Sequence, residues 1–302
     1  VTLWLYLPKY LEKINIKTLE LKKHIKPTIA LFVPQIAIQI YTVLDKTMIG
    51  KLTNDMVEVG YYEQAQKIVK ASLTVISALQ IVMNSRIANA YQNKDDKEIK
   101  SCLEKSFNFV WFLAIPMMFG LIAVAPKFVP WYYGEGFDGV VQILIATAPI
   151  LIVTGLNGIT GVQYLVQIGK QKIFTISVAI GAISNVILNI ILIHFFKAAG
   201  AAFASVIAET IIFGIQLMYF KDQFKLFEIL KLGVKTFISG LIMFGVVTII
   251  VKVLPISILN TIIEIIIGAI VYIVMLLIMK YTFFKDLINQ VIGGIKSKGV
   301  RK

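Results

Sequence analysis

A row of polar side chains crosses an otherwise apolar stretch near the start of the chain. Its members are spaced at i, i+4, i+7 and i+11, which places them within about 40° of one another on one helix face. They are Gln35, Gln39, Thr42 and Lys46, and Asp45 flanks them. The row predicts a polar lining for a hydrophilic substrate. The alternative of interhelical hydrogen bonds with a structural Asp45–Lys46 pair stays open.

Three further basic residues lie in the next apolar segment. Lys67 and Lys70 are near one end of it and Arg86 is near the other. Their cationic groups are candidate ligands for an anionic headgroup, because charged donors form strong hydrogen bonds with phosphate oxygens. Long basic side chains near helix ends also reach toward the aqueous surface without any ligand, and this second interpretation applies to all three.

An acidic residue lies in the middle of a later apolar segment. Glu209 shares a helix face with Ser205 and Gln216. A carboxylate inside a membrane is a candidate proton or cation site, so Glu209 and Asp45 are candidate ion-coupling residues. Pairing of Glu209 with a basic residue on a neighbouring helix would explain the same position.

The composition shows why these residues stand out. Of 302 residues, 58% are hydrophobic and 16% are charged, and the mean hydropathy is +0.81. A soluble domain has about 45–50% apolar and about 25% charged residues. These values exclude a soluble enzyme, a disordered chain and a disulfide scaffold. They predict an all-α polytopic membrane protein.

Eight segments are long and apolar enough to cross a bilayer, which needs roughly 20 helical residues. They are residues 28–49, 68–91, 106–130, 140–168, 173–196, 199–220, 236–254 and 258–280. The fourth contains Pro149 and three glycines, so we expect it to be kinked or tilted. The last two are almost wholly apolar, with Lys252 and Glu264 near their outer ends, and are expected to face lipid.

The basic residues predict the orientation. If residues 9–27 are cytoplasmic, the segments on their side of the membrane hold 22 of the 30 Lys and Arg residues. Both ends of the chain are then cytoplasmic, and the first eight residues are the end of a preceding helix. Tyr61, Tyr62 and residues 131–133 fall at the outer interface, where an aromatic belt is the first interpretation.

Other function classes lack their signatures. The sequence contains no G-x-x-x-x-G-K-S/T, G-x-S-x-G, H-E-x-x-H or C-x-x-C motif. With one cysteine and two histidines, no metal site or other cofactor is expected. Only two of the 30 basic residues are arginines, so a nucleic-acid partner is not expected either. The short, lysine-rich loops also make an enzyme the weaker class.

Residues 41–70 resemble a known family. Their sequence, YTVLDKTMIGKLTNDMVEVGYYEQAQKIVK, is similar to the Wzx-type polysaccharide-biosynthesis flippases of the multidrug/oligosaccharidyl-lipid/polysaccharide (MOP) exporter superfamily. The residues that carry the resemblance are Asp45, Lys46, Gly50, Val59, Gly60, Tyr61, Tyr62, Ala65 and Lys67. The rest of the chain follows the family in helix order and general character.

The resemblance implies two six-helix lobes around a central cavity, with two extra C-terminal helices in some members. On that template, residues 1–27 hold the end of a preceding transmembrane helix and a cytoplasmic loop. Residues 28–220 form the second six-helix lobe, and residues 221–302 add two transmembrane helices and a basic cytoplasmic tail. The first lobe would be missing from this chain.

The resemblance also implies a function. Such flippases move undecaprenyl-pyrophosphate-linked oligosaccharide repeat units across the bacterial cytoplasmic membrane by alternating access, for capsule, exopolysaccharide or O-antigen synthesis. Lys46 would be the best-placed cation for the pyrophosphate. Expected partners are the lipid-linked oligosaccharide, membrane lipids, the first lobe and the polysaccharide polymerase machinery. Two alternatives stay open: a multidrug cation antiporter of the same superfamily using H⁺ or Na⁺, and a lipid II flippase.

Overall fold

The computed structural model describes residues 21–221 and 223–287, with the side chains of most of them. Within these ranges the chain is helical and forms no strand. The main helices are α1 (Leu21–Thr53), α2 (Met56–Gln92), α3 (Asp96–Tyr133), α4 (Asp138–Thr147), α5 (Ile150–Asn157), α6 (Gln171–Phe220), α7 (Leu226–Val253) and α8 (Ile258–Ile278), and a π-helical segment (Gly158–Val166) follows α5. Residues 1–8 and most of the predicted flanking loop and tail lie outside the described residues.

The bundle is apolar outside and partly polar inside. Along α6, Ile183 and Ile187 are 62% and 54% exposed, whereas the neighbouring Asn185 and Asn189 are fully buried. This arrangement suits a lipid solvent, in which apolar side chains face outward and polar ones bond between helices. The chain is therefore a multi-pass membrane protein.

The number of spans follows from the length and composition of the helices. Five of the described helices are long and apolar enough to cross a membrane, or six if the bent α4–α5 pair is one span. The long α6 counts once in those numbers although it contains a break. The count of eight spans stays a prediction.

The break in α6 divides it into two antiparallel halves. A straight helix of 50 residues would measure about 75 Å, far more than a bilayer. Lys197 has φ 50° and ψ −133°, which is not helical, and the chain reverses there. Asn185 then donates to Ser205 Oγ across the two halves at 3.2 Å. The break falls between the predicted segments 173–196 and 199–220.

The predicted bend in the fourth segment is also present. The axes of α4 and of the helical stretch from Ile150 to Val166 differ by 42°, and Pro149 lies at the junction. The π-helical segment that follows contains Gly158 and Gly161. Wide turns of this kind are rare and occur frequently at functional sites.

Short connections make α1, α2 and α3 antiparallel neighbours. Asn54 and Lys94 adopt positive φ values of 52° and 55° in the two turns. Asp55 accepts a hydrogen bond from the Val57 amide at 2.9 Å, and Asp95 accepts one from the Glu98 amide at 3.0 Å. These carboxylates cap the first turns of α2 and α3, where backbone N–H groups lack helical partners.

The last two helices pack against α3. Trp111 Nε1 donates to the Ile229 carbonyl of α7 at 3.0 Å, and Gly233 of α7 lies directly on the Trp111 ring. Tyr272 of α8 donates to the Phe112 carbonyl at 3.0 Å. Aromatic side chains with a polar tip thus attach both helices to α3, while most of their outer surface is exposed and apolar.

Candidate functional site

A cavity of about 340 Å³ lies inside the bundle. Its walls come from α1, α2, α5 with the π-helical segment, and both halves of α6. The wall is apolar over much of its area, and polar groups from each of these elements project into it. The residues with charged or amide side chains are Asp45, Lys46, Gln66, Lys70, Gln80, Asn157, Glu209 and Gln216.

Asp45 is the most completely enclosed charged group of the cavity wall, with 1% of its surface exposed. Its carboxylate accepts hydrogen bonds from Asn189 Nδ2 at 2.6 Å, Tyr62 Oη at 2.8 Å and Ser205 Oγ at 3.0 Å. The donors belong to α2 and to both halves of α6. The Asp45 carboxylate therefore joins α1 to α2 and to both halves of α6. Each of its donors is a neutral group.

The Asp45 cluster also contains oxygen atoms that can accept. Asn189 Nδ2 additionally donates to Asn185 Oδ1 at 3.1 Å, while Asn189 Oδ1 is buried without a hydrogen-bond partner among the described residues. Carboxylate, amide and hydroxyl oxygens are the ligands that hard cations prefer. The cluster could therefore hold a small cation or a proton at Asp45.

The basic residues of the cavity have a different environment. Lys46 Nζ lies 3.3 Å from Glu63 Oε1, and about a third of the Lys46 side chain is exposed. Lys46 does not pair with Asp45, so a structural Asp45–Lys46 pair is absent. Lys70 also lines the cavity and is exposed. Both ammonium groups can reach an anionic ligand in the cavity, Lys46 by exchanging its Glu63 partner.

Asn157 and Glu209 form a second polar cluster where α5 meets the π-helical segment. Asn157 Nδ2 donates to the Glu209 carboxylate at 2.5 Å and to the Glu209 carbonyl at 3.0 Å. The Gln80 amide packs directly on Gly158, where a Cβ atom would collide with it. This cluster offers amide and carboxylate groups of the kind that bind sugar hydroxyls.

A third set of hydrogen bonds joins the π-helical segment to both halves of α6. Thr160 donates to Gln216 Oε1 at 2.6 Å, and Gln216 Nε2 donates to Ser177 Oγ at 3.2 Å. All three residues are buried. Since a buried polar group without a partner is costly, this chain of bonds specifies how the π-helical segment packs against α6.

The predicted site residues divide into three groups. Five line the cavity: Thr42, Asp45, Lys46, Lys70 and Glu209.

The second group lies elsewhere. Gln39 and Lys67 are exposed and are not part of the cavity wall, and Lys67 contacts Gln64 Oε1 at 3.3 Å. Arg86 lies in a separate groove of about 400 Å³ and pairs with Glu98 at 3.1 Å. Gln35 forms the third group, because its side chain is not among those that the structure describes. The roles assigned to all of these residues remain predictions.

The structure places some residues in the site for which the sequence predicted another role or none. Tyr62 was expected in an aromatic belt, but it is buried and donates to Asp45. Asn185 and Asn189 also belong to the site, because Asn189 donates to Asp45 and Asn185 donates to Ser205. The signal for Tyr62 was its position four residues before Gln66 on a helix that faces the polar row.

Comparison with known proteins agrees with these features. A family model described as "Polysaccharide biosynthesis protein" matches residues 1–142. The chain is similar to the "Probable low-salt glycan biosynthesis flippase Agl15" of Haloferax volcanii. The two are 25% identical over 256 residues, which cover 83% of this chain and 54% of Agl15.

Solved structures share the fold. A structure of the lipid II flippase MurJ in an inward closed conformation matches with a TM-score of 0.72 and 24% identity, covering 93% of this chain and 58% of that one. An outward-facing multidrug resistance MATE family transporter of the MOP superfamily matches with a TM-score of 0.57 and 15% identity, covering 74% of this chain and 52% of that one.

These matches confirm two predictions. The resemblance to polysaccharide-biosynthesis flippases is confirmed by the family model and by Agl15, and the all-α membrane fold is confirmed by the MurJ structure. The chain spans about half the length of Agl15 and of the two matched structures.

Proposed function

We propose that the protein to which this chain belongs is a flippase for lipid-linked oligosaccharides. It would move undecaprenyl-pyrophosphate-linked repeat units across the bacterial cytoplasmic membrane for capsule, exopolysaccharide or O-antigen synthesis. The observation that carries the proposal is a cavity that presents charged and amide side chains inside a bundle whose outer surface is apolar. The similarity to Agl15, a probable glycan biosynthesis flippase, supports it.

The cavity offers chemistry for both parts of a headgroup. Lys46 and Lys70 in the cavity wall supply ammonium groups for the pyrophosphate. Lys67 and Arg86 lie outside this wall and are candidates for guiding the pyrophosphate into or out of the cavity. The amides of Gln80 and Asn157 supply donors and acceptors for sugar hydroxyls. The polyprenyl tail would stay in the lipid alongside the bundle.

Transport requires a way to reset the empty protein. We propose that Asp45, with its neutral donors, binds a proton or a small cation, and that Glu209 is the second candidate for this coupling. Occupancy of Asp45 would change the hydrogen bonds that join α1 to α2 and α6. Alternating access would then swing this lobe against the first lobe around the headgroup.

Specific observations also favour each of the two alternative functions. A lipid II flippase has the same headgroup chemistry with a different glycan, and the MurJ fold matches over 93% of this chain. A multidrug cation antiporter is favoured by the presence of two acids, Asp45 and Glu209, in the cavity wall. Against it, Lys46 and Lys70 line the same cavity and would repel a cationic drug.

The test is complementation in bacteria that lack their own repeat-unit flippase. The full-length protein, its Lys46→Ala variant and a Lys51→Ala control would be expressed, and surface polysaccharide would be measured. Lys51 is a matched control because it is an exposed lysine of α1 that does not line the cavity. We expect Lys51→Ala to support synthesis, and Lys46→Ala to reduce it by roughly tenfold or more, the value of a charge-assisted hydrogen bond.

The outcomes separate the site from the function. Equal synthesis by both variants would remove Lys46 from the site and keep the flippase. Absence of synthesis despite confirmed membrane expression would contradict transport of that repeat unit. Measuring lipid II translocation and drug efflux with the same protein would then decide between the two alternatives.

A further inference from the structure

The inward face of α8 is more polar than the rest of this helix. Thr261, Glu264, Gly268, Tyr272 and Leu276 are its buried residues and follow one another at helical spacing. The residues next to Glu264, Ile263 and Ile265, are 43% and 57% exposed. Glu264 was expected near the outer end of a lipid-facing helix. It instead points away from lipid and is fully buried.

Glu264 has no hydrogen-bond partner among the described residues. Both oxygens of its carboxyl group are buried and unbonded. An ionised carboxylate in such a place would have no hydrogen bond from the described residues to compensate for lost water, which is strongly unfavourable. A neutral carboxylic acid loses far less on burial. The surroundings of Glu264 therefore favour its protonated form.

One cation is close enough to act on Glu264. It is Lys127 of α3, whose positive charge favours the ionised carboxylate but which forms no salt bridge with it. The Lys127 ammonium group donates instead to the carbonyl of Leu254, at the C-terminal end of α7. A cation at this position caps the helix end, where carbonyl groups lack helical partners.

The other groups near this end of the bundle are neutral or turned outward. On α3, Trp131 Nε1 donates to the Thr261 hydroxyl at 2.8 Å, and Thr261 donates to the Ser257 carbonyl. On α7, Lys252 is exposed. On α8, Tyr272 lies two turns away and bonds to Phe112. Within the described residues, Lys127 is therefore the cation available to an ionised Glu264.

We propose that Glu264 is a proton-binding site, separate from the central cavity, and that Lys127 alternates between two partners according to its occupancy. With the proton bound, Lys127 holds the Leu254 carbonyl at the end of α7. When the proton leaves for water, the Lys127 ammonium group moves to the Glu264 carboxylate. Loss of the cap then loosens the turn of residues 254–257 between α7 and α8. The attachment of this turn to α3 thus depends on one proton.

The test is infrared difference spectroscopy on the full-length protein in lipid vesicles. The carbonyl band of a carboxylic acid that is present in the wild type and absent from Glu264→Gln reports the protonated group directly. The band would be followed from about pH 4 to about pH 10, a range that covers ordinary and strongly displaced carboxyl groups. The measurement does not depend on the substrate or on transport.

Two lysine variants test the link to Lys127. Lys127→Met removes the cation that stabilises the ionised form, so the midpoint at which the band disappears should rise by about 1 to 3 pH units. Lys252→Met is the matched control, an exposed lysine at the same end of the bundle, and should leave the midpoint within a few tenths of a unit. If Lys127→Met does not accumulate in the membrane, Lys127→Gln replaces it.

Three results would overturn the proposal. A band absent at every pH would mean that Glu264 is always ionised. A band unchanged over the whole range would mean that its proton does not exchange. A midpoint that is the same in the wild type and in the Lys127 variant would remove Lys127 from the site. None of these results depends on whether the protein is a flippase.

Discussion

Two buried carboxyl groups in this chain have opposite environments. Asp45, in the wall of the cavity, accepts hydrogen bonds from three side chains on α2 and α6. Glu264, on the inward face of α8, is just as buried and accepts none among the described residues. The donors around Asp45 compensate part of the cost of burying a charge, whereas no hydrogen bond from the described residues does so at Glu264.

The difference shows that burial of an acid does not by itself assign a role. A carboxylate held by donors from several helices links those helices, so a change at Asp45 reaches all of them. An acid without donors links nothing until it loses its proton and attracts a cation. The effects of substitutions at and around the two groups should therefore differ, both in magnitude and in whether they change stability or transport.

The largest effect is expected for Asp45→Ala. It leaves the donors of Tyr62, Asn189 and Ser205 without their acceptor, at about 1–3 kcal/mol for each buried group that stays unpaired. We expect a clear fall in the unfolding temperature of the solubilised full-length protein, together with loss of transport.

Asp45→Asn separates the two effects. An asparagine has nearly the same size and keeps one acceptor oxygen, so more of the stability should remain. Its lack of charge should still abolish ion coupling. Both variants would be compared by thermal unfolding and by polysaccharide synthesis. Wild-type transport with unchanged ion dependence in Asp45→Asn would exclude Asp45 as the coupling residue.

The π-helical side of the cavity should respond to one added methyl group. In Gly158→Ala, the new Cβ would collide with the Gln80 amide, so the amide or the helix must move. Because the amide is the flexible end of the Gln80 side chain and can move aside, we expect a loss of at most about 1 kcal/mol in unfolding free energy. Transport should fall more clearly, since the displaced amide lines the cavity. Gly120→Ala is the control because no atom outside its own helix backbone lies within 4 Å of that position. Equal transport by the two variants would contradict a role for the Gln80 amide beside Gly158.

A parallel pair tests the attachment of the last two helices. Gly233→Ala of α7 would place a methyl group against the Trp111 ring, whereas Gly245→Ala of the same helix meets no atom within 4 Å. We expect the first to lower the unfolding free energy by about 1–3 kcal/mol, more than Gly158→Ala, because the Trp111 ring is buried and held by its bond to Ile229. Transport should fall less than with Gly158→Ala, since position 233 is outside the cavity wall. A larger loss of transport at 233 would show that α7 takes part in the transport cycle.

Several features of the fold and of the cavity could be predicted from the sequence. The reversal at Lys197 follows from a charged residue between two apolar runs of bilayer length, and the bend at Pro149 follows from a helix-breaking residue. Asp45, Lys46 and Glu209 were expected to face protein or water because the lipid-facing alternative is too costly. Those arguments need only the local sequence and the solvent.

The partners of these residues could not be predicted in the same way. Helical spacing indicates which face of α1 is polar, but the neighbouring helices cover only part of that face, so Thr42 lines the cavity while Gln39 is exposed. The bond between Tyr62 and Asp45 depends on how α1 and α2 meet. The burial of Glu264 depends on how α8 lies on α3. Each depends on tertiary packing, which a single sequence does not encode in any short pattern.

The smallest effect is expected for Glu264→Gln. Glutamine has the size of glutamic acid and carries no charge, and no hydrogen bond to the described residues is lost. The change in unfolding free energy should therefore stay within about 0.5 kcal/mol. Glu58→Gln is the matched control, because Glu58 pairs with Lys197 at 3.3 Å and accepts from the Ala198 amide, so its variant should unfold at a lower temperature. A loss of stability in Glu264→Gln as large as that in Asp45→Asn would mean that Glu264 is ionised and paired, and the contrast between the two buried acids would be wrong.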